Sequence, residues 1–177
     1  MRVSKLLLVA WLASPAAAEP PTCAVAKLTV RSPAFPAHGE IPSEYTCDGR
    51  EISPPLVWSG VPRGTRSIVI LVEDATTAAF THWIVTGLGA TTSSLAGGTA
   101  LPRGAIAGRN DLRKAGWTGP CPARGRHHYT FRVFALDVPL GKQVTSQSLP
   151  AALNGHVIAT GELVGTYQRQ AQTLVMR

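Results

Sequence analysis

Residues 67–72 read Ser-Ile-Val-Ile-Leu-Val, an unbroken apolar run rich in β-branched side chains. A strand with one face in water alternates polar and apolar residues, so an unbroken run is typical of a strand buried on both faces. Four further segments have strand-like patterns between turn signals: Lys27–Arg31, His82–Thr86, Tyr129–Leu136 and Val157–Val164, the last broken by Gly161. We therefore expect residues 67–72 to form a central strand.

The rest of the chain is rich in turns. Its 17 glycines and 14 prolines exceed average usage, which disfavours a helical bundle. Leu149–Asn154 predicts a short helix, because Pro150 lies near its start and Gly155 follows it. Two long loops, 32–66 and 87–128, separate the strand-like segments. Together these features predict a mainly β sandwich with irregular connections at one end.

The first 18 residues have the pattern of a secretory signal. Arg2 and Lys5 precede the apolar stretch 6–13, and three alanines end the segment at Ala18. The stretch is shorter than the ~20 residues that span a bilayer, and no other run is long enough, so we expect no transmembrane segment. The prediction is a periplasmic or secreted protein with an N-terminal segment and first strand at 19–31 and one domain at 32–170. Without the two signal cations, the formal charge of +7 falls to +5.

Three cysteines follow the signal: Cys23, Cys47 and Cys121. In an oxidising compartment two of them are expected to pair. Cys47 and Cys121 lie in Gly/Pro-rich loops, whereas Cys23 is close to the mature N-terminus, where order is usually poor. This favours a Cys47–Cys121 bridge, although the sequence alone leaves the connectivity open. Lipid attachment at Cys23 is a weaker alternative, because Pro20-Pro21-Thr22 is a poor lipidation context.

Four polar residues interrupt apolar strands near their ends: Asp74, His82, His127 and Tyr129. His127 and Tyr129 are two residues apart and so share one face of a strand. A carboxylate, two imidazoles and a phenol could meet where strand ends converge and present donors to an anion, with Asp74 orienting one histidine. Alternatively, each is a separately satisfied polar group. Spacing alone favours this second interpretation by about two to one.

A series of ordered motifs changes that balance. They are Thr46-Cys47-Asp48-Gly49, Ile52-Ser53-Pro54-Pro55-Leu56-x-Trp58, Asp74-Ala75, His82-Trp83, Gly119-Pro120-Cys121-Pro122-x-x-Gly125-x-His127-x-Tyr129-x-Phe131 and Gly165-Thr166-Tyr167-x-Arg169. In this order they resemble the phosphatidylethanolamine-binding protein family. The resemblance is strongest to its bacterial branch, which is described as Raf-kinase-inhibitor-like or YbhB/YbcL-type. It runs from about Ser32 to Arg169.

The resemblance implies a Greek-key β-sandwich with one or two short helices and long Gly/Pro-rich loops. It also implies a small cavity at one end that binds an anion or a phospholipid headgroup. By position, the cavity would be lined by Asp74, His82, His127 and Tyr129, with Pro120 beside it. The Ser53-Pro54-Pro55 turn matches a family motif in which we expect a cis proline. A regulatory or inhibitory role toward an unidentified protein partner is compatible with the family.

The chain departs from the family at the cavity. The family usually has Asp-Pro-Asp-Ala-Pro where this chain has Val72-Glu73-Asp74-Ala75-Thr76, so one acid is replaced by valine. His128 stands where arginine is common. We expect Val72 to form an apolar cavity wall, and the preference for phosphoethanolamine over phosphate to be weak or absent.

Other functions remain as alternatives. The same cavity could belong to a small-molecule enzyme, with His82 or His127 as base, Tyr129 as acid and Asp74 orienting the histidine. Two histidines and a carboxylate also match a facial metal triad, but the family resemblance indicates an anion cavity, so we expect no metal or cofactor.

Six cations lie between positions 103 and 126 with only Asp111 opposing them. They form either a rim that steers anions or lipid headgroups or a solvated loop surface. Nucleic-acid binding is not expected, because no aromatic ladder interleaves these cations.

Overall fold

A computed structural model describes residues 25–170 of the chain, so the signal segment and Cys23 lie outside the described residues. Within residues 25–170 there are nine strands: β1 (Ala26–Lys27), β2 (Thr29–Arg31), β3 (Leu56–Ser59), β4 (Ser67–Asp74), β5 (Phe80–Leu88), β6 (Ser94–Leu95), β7 (Ile106–Ala107), β8 (His127–Leu136) and β9 (Val157–Tyr167). The helix α1 spans Leu149–Leu153, and a single 3-10 turn spans Ser43–Tyr45. No helix in this part of the chain is long and apolar enough to cross a bilayer.

The strands form two sheets packed as a sandwich, as expected. The larger sheet has the order β1-β9-β8-β4-β5-β7, and the smaller one has the order β2-β3-β6. Strand β4 lies inside the larger sheet with antiparallel neighbours on both sides. The prediction that residues 67–72 form a central strand is therefore confirmed.

Both faces of β4 are buried, which explains its unbroken apolar sequence. Ile68, Ile70 and Val72 face the core between the two sheets, where they join Leu56 and Trp58 of β3. On the opposite face, the β4 side chains join a second cluster under α1 and the segment before it, made of Val69, Leu71, Ile84, Leu136, Leu140, Val144 and Leu149. The alternation of β8 also holds, because Tyr129, Phe131, Val133 and Ala135 all lie in the first core.

Two strand predictions need correction. Lys27–Arg31 is not one strand, because the chain changes sheets at Leu28. Before Leu28, β1 pairs with β9 in the larger sheet, and after it, β2 pairs with β3 in the smaller sheet. Gly161 does not break β9, which continues to Tyr167. A Cβ at Gly161 would lie 2.8 Å from both the carbonyl carbon and the Cβ of Leu28. The glycine therefore makes room for the chain crossing between sheets.

The Ser53-Pro54-Pro55 turn also differs from expectation. Every peptide bond in residues 25–170 is trans, so the prediction of a cis proline is wrong. The turn is held by hydrogen bonds instead. The Ser32 hydroxyl donates to the Pro55 carbonyl at 2.7 Å, and the Gly98 N–H donates to the Ser53 carbonyl at 3.0 Å.

Candidate functional site

Strand ends of the larger sheet enclose a cavity of about 620 Å³. Asp74 ends β4, His82 follows the start of β5, and His127 opens β8. Tyr129 pairs with Asp74 across the ladder between β8 and β4. All four predicted residues line the cavity, and the structure thus brings them together from three strands.

Asp74 and His127 form a close pair at the cavity wall. His127 Nδ1 lies 2.6 Å from Asp74 Oδ2, and the Thr76 N–H donates to the other carboxylate oxygen at 2.8 Å. Burial acts to raise the pKa of Asp74, but the hydrogen bonds from His127, Thr76 and Thr77 outweigh it and lower the pKa. The carboxylate is therefore charged at neutral pH, and its charge is directed at the imidazole.

The second nitrogen of His127 also faces an acceptor. His127 Nε2 lies 3.2 Å from the Arg124 carbonyl oxygen. Since a carboxylate and a carbonyl can only accept, both contacts are hydrogen bonds only when the ring carries two protons. Both ring nitrogens of His127 therefore face acceptors, one of them the Asp74 carboxylate.

His82 has a different environment. Its Nδ1 lies 2.8 Å from the Thr118 carbonyl oxygen, which can only accept, so Nδ1 carries a proton. Burial lowers the pKa of His82, against the opposing effects of the Thr118 hydrogen bond and of Asp74 and Asp111. The ring is therefore mainly neutral at pH 7, with its lone pair on Nε2. No other described residue forms a hydrogen bond with Nε2.

Tyr129 completes a row of four rings along the cavity. Its ring centroid lies 5.3 Å from that of His82 and 6.4 Å from that of His127, and Phe80 packs edge-on against His82 at 5.0 Å. Burial and the nearby Asp74 charge raise the pKa of Tyr129, so the hydroxyl keeps its proton. Among the described residues, the hydroxyl has no hydrogen-bond partner. A protonated donor is thus available to a bound molecule.

Two residues expected at the cavity lie outside it. Pro120 is buried behind the wall, where its carbonyl accepts the Cys47 N–H at 3.1 Å, whereas its neighbours Gly119 and Cys121 line the cavity. Val72 has no exposed surface and packs in the core between the sheets. The prediction that Val72 forms an apolar wall is therefore wrong. In the described chain, Asp74 is the one carboxylate that lines the cavity.

A buried loop residue that the sequence did not single out positions His82. Asn110 is 2% exposed, and its side-chain amide donates to the His82 carbonyl at 3.2 Å and to the Thr118 hydroxyl at 2.8 Å. Next to it, Asp111 accepts the Thr81 N–H at 2.7 Å. The Asn-Asp pair in a glycine-rich loop is a turn signal that could have drawn attention to this position.

A disulfide bond and the hydrogen bonds of the Asp48 carboxylate connect the loops behind the cavity. Cys47 and Cys121 are bonded, with Cα atoms 5.4 Å apart, which confirms the predicted pairing. Beside Cys47, Asp48 accepts hydrogen bonds from the Tyr167 hydroxyl at 2.7 Å and from Arg169 at 3.0 Å. These bonds from Arg169 and Tyr167 lower the pKa of Asp48. The sequence motifs around Cys47 and Tyr167 are therefore two halves of one contact.

The cavity offers hydrogen-bond donors beside the Asp74 carboxylate, which is paired with His127. Tyr129 offers a hydroxyl, and His82 offers a second donor when it is protonated. In the described part of the chain, no three His, Cys, Asp or Glu side chains are grouped so that they could hold a metal ion. Cys121 lines the cavity, but its sulfur is bonded to Cys47 and offers no thiol.

Comparisons with known proteins give the context for this site. The family profile described as phosphatidylethanolamine-binding protein matches residues 31–168. A protein called UPF0098 protein from Methanothermobacter thermautotrophicus is 37% identical over 150 residues, covering 80% of this chain and 99% of the relative. A UPF0098 protein from Chlamydia trachomatis is 40% identical over 151 residues, with the same two coverages.

Solved structures show the same similarity. A phosphatidylethanolamine-binding protein homologue from Chlamydia trachomatis superposes with a TM-score of 0.75 at 38% identity, covering 81% of this chain and 99% of that one. Escherichia coli YbcL, described as a new member of the mammalian phosphatidylethanolamine-binding protein family, gives a TM-score of 0.73 at 34% identity. That match covers 82% of this chain and all of YbcL.

Proposed function

The chain belongs to the phosphatidylethanolamine-binding protein family, and from this premise we propose that it is an exported protein whose cavity binds a small anion. The ligand is inorganic phosphate or the phosphate of a headgroup. Family membership supports a binding protein of this kind. A regulatory role toward another protein is not part of the proposal.

One observation carries the proposal. The Tyr129 hydroxyl is protonated, has no partner among the described residues, and belongs to a ring that packs against both histidines lining the cavity. The hydroxyl oxygen is open to the cavity and is not a buried polar atom, so it can donate a hydrogen bond to a ligand that accepts one. A phosphate oxygen is a strong acceptor and therefore suits this donor.

The arrangement of charges also bears on the ligand. Asp74 is the one carboxylate among the described cavity residues, and it is engaged by His127 and the Thr76 N–H. It therefore offers no unpaired charge to an ammonium group. We infer that phosphate and phosphoethanolamine bind with similar affinity.

Export is the second part of the proposal. It rests on the signal-like pattern of residues 1–18, which lie outside the described residues. The bonded pair Cys47–Cys121 agrees with an oxidising compartment, since such bridges are rare in the cytosol. Processing after Ala18, found by mass spectrometry of periplasmic or secreted protein, tests this part. A full-length cytosolic product would contradict it.

Calorimetric titration with inorganic phosphate tests the cavity. Replacing a donor to a charged ligand should weaken binding roughly tenfold, so Tyr129→Phe should show that loss. Tyr45→Phe is the matched control, because it removes a hydroxyl that lies outside the cavity. Equal phosphate affinity in the wild type and Tyr129→Phe, or a strong preference of the wild type for phosphoethanolamine, would overturn the proposal.

A second candidate is acid–base catalysis, which the state of His82 favours. Burial keeps this ring mainly neutral, and its Nε2 lone pair is free of other described residues, as a general base requires. Incubation with small phosphate and carboxylate esters, with His82→Gln as the comparison, separates the two functions. Turnover that is lost in the variant supports an enzyme, whereas phosphate binding without turnover supports a binding protein.

A further inference from the structure

Two short segments flank the mouth of the cavity. Leu112 and Arg124 both line the cavity, one from each segment. Arg113 and Lys114 follow Leu112, Arg126 lies two residues after Arg124, and all five side chains are exposed. We call these five residues the rim. Leu112 is 49% exposed, so a large part of its apolar surface is available to a partner.

Leu112 is exposed on an ordered turn. The Arg113 N–H donates to the Asn110 carbonyl at 2.8 Å, and the Asn110 N–H donates to the Lys114 carbonyl at 2.9 Å. The Asn110 side-chain oxygen also accepts the N–H groups of Leu112 and Lys114, each at 3.0 Å. Since Asn110 is itself buried, these bonds hold the turn outward, and Leu112 stays in water unless a partner covers it.

The rim has a large uncompensated positive charge. None of its four cations forms an ion pair with another residue in the range 25–170. The acid within the turn, Asp111, already accepts hydrogen bonds from the Thr81 N–H and the Ser146 hydroxyl. The carboxylate inside the cavity, Asp74, is paired with His127. The rim therefore combines four positive charges with an exposed leucine.

We propose that the rim docks the protein on an anionic phospholipid bilayer, with the mouth of the cavity facing the headgroups. An apolar side chain flanked by cations is the combination that binds a bilayer interface, because the cations meet lipid phosphates while the leucine enters the acyl boundary. A soluble anion would contact the cations alone, whereas a bilayer would also bury the Leu112 side chain. This docking goes beyond the proposed function and does not require that the cavity itself bind phosphate.

Co-sedimentation with vesicles tests the docking. The purified protein should bind vesicles with about 30 mol% phosphatidylglycerol in phosphatidylcholine, and it should bind pure phosphatidylcholine or phosphatidylcholine with phosphatidylethanolamine far more weakly. Each cation near such a surface contributes roughly fivefold to binding, so Arg113→Asn with Lys114→Gln should weaken binding roughly 25-fold. Leu112→Ser should weaken it roughly tenfold through the loss of apolar burial.

A matched control uses the other end of the sheet. Arg63 and Arg66 are exposed and precede β4, at the end of the strand opposite Asp74. Arg63→Gln with Arg66→Gln removes the same charge and should change vesicle binding less than about threefold. Equal losses in the two double variants would contradict a specific rim, as would equal binding to anionic and zwitterionic vesicles. Full competition by inorganic phosphate at constant ionic strength would also overturn the proposal, because it would indicate a soluble-anion site.

The test separates this inference from the proposed function. Tyr129→Phe should lose phosphate affinity but keep vesicle binding, because Tyr129 is buried and lies outside the rim. Loss of vesicle binding in Tyr129→Phe to the extent seen in Arg113→Asn with Lys114→Gln would show that the rim is not the docking surface.

Discussion

Asp74 Oδ2 lies 2.6 Å from His127 Nδ1, and both side chains are largely buried beside the cavity. Each therefore depends on the other for the compensation of its charge. The pair also explains why a carboxylate is compatible with an anion site, since both carboxylate oxygens are engaged by His127 and the Thr76 N–H. The four cations of the rim lie around the mouth of the same cavity.

Breaking this pair should destabilise the protein. His127→Gln leaves the Asp74 carboxylate buried without its charged partner, and we expect the free energy of unfolding to fall by about 3 kcal/mol at pH 7. The native pKa of Asp74 is lowered, so the stability that it contributes is present at neutral pH and is lost as the pH falls through that pKa. The deficit of His127→Gln should therefore shrink in acid. Urea unfolding measures it.

Asp74→Asn combined with His127→Gln is the control for this prediction. With both charges removed, no carboxylate is left unpaired, and the double variant should be more stable than His127→Gln alone. A double variant as unstable as the sum of the single variants would mean that the two residues are not coupled.

His82 should give the folded protein a pH-dependent stability. Its pKa is lowered by burial from the ordinary value of 6.5, whereas in the unfolded chain it takes up a proton near pH 6.5. Below that pH the unfolded state therefore binds more protons than the native state, and the free energy of unfolding decreases as the pH falls. His82→Gln should remove this part of the pH dependence. An unfolding free energy with the same slope in the variant would show that His82 is not responsible.

Gly161 should be intolerant of a side chain. A Cβ at this position would lie 2.8 Å from the carbonyl carbon and the Cβ of Leu28, so Gly161→Ala should reduce the free energy of unfolding by about 1–3 kcal/mol. Gly141→Ala is the matched control, because nothing lies within 4 Å of its Cβ. Thermal unfolding of both variants tests this, and equal melting temperatures would contradict the proposed crossing of the chain at Leu28.

The Cys47–Cys121 bridge should stabilise the loops behind the cavity. It spans 74 positions of the chain, and its removal by Cys47→Ser with Cys121→Ser should lower the free energy of unfolding by about 2–4 kcal/mol. Because Cys121 lines the cavity, phosphate affinity should fall as well. Peptide mapping without reduction should find the two cysteines in one linked pair. A linked pair that includes Cys23 would contradict the assignment.

The sequence predicts the sheet well wherever burial determines the residue type. The apolar run in β4 and the alternation in β8 both follow directly from which faces are buried. The switch at Leu28 was missed, because one short strand-like segment gives no sign that its two ends pair with different sheets. Gly161 resembles a strand break for a similar reason. The glycine is needed because Leu28 lies close to it, and this contact between residues distant in sequence is not visible in the sequence.

The site shows the same limit. The sequence predicts the four polar residues at strand ends. It does not predict where Pro120 and Val72 lie, because the direction of the backbone at a single residue decides whether its side chain lines the cavity or the core. The sequence does not single out Asn110, because its role depends on side-chain hydrogen bonds to the His82 carbonyl and the Thr118 hydroxyl. Such networks become visible only when the loop conformation is known.

Histidine-selective NMR gives the most direct test of anion binding in the cavity. The chain contains five histidines: His38, His82, His127, His128 and His156. On titration with inorganic phosphate, the ring nitrogen signals of His82 and His127 should shift, and the His82 Nε2 signal should move toward the protonated form as the ring becomes a donor. His38 and His156, which lie outside the cavity, should remain unchanged. Shifts confined to residues outside the cavity, or no shift at saturating phosphate, would contradict the account.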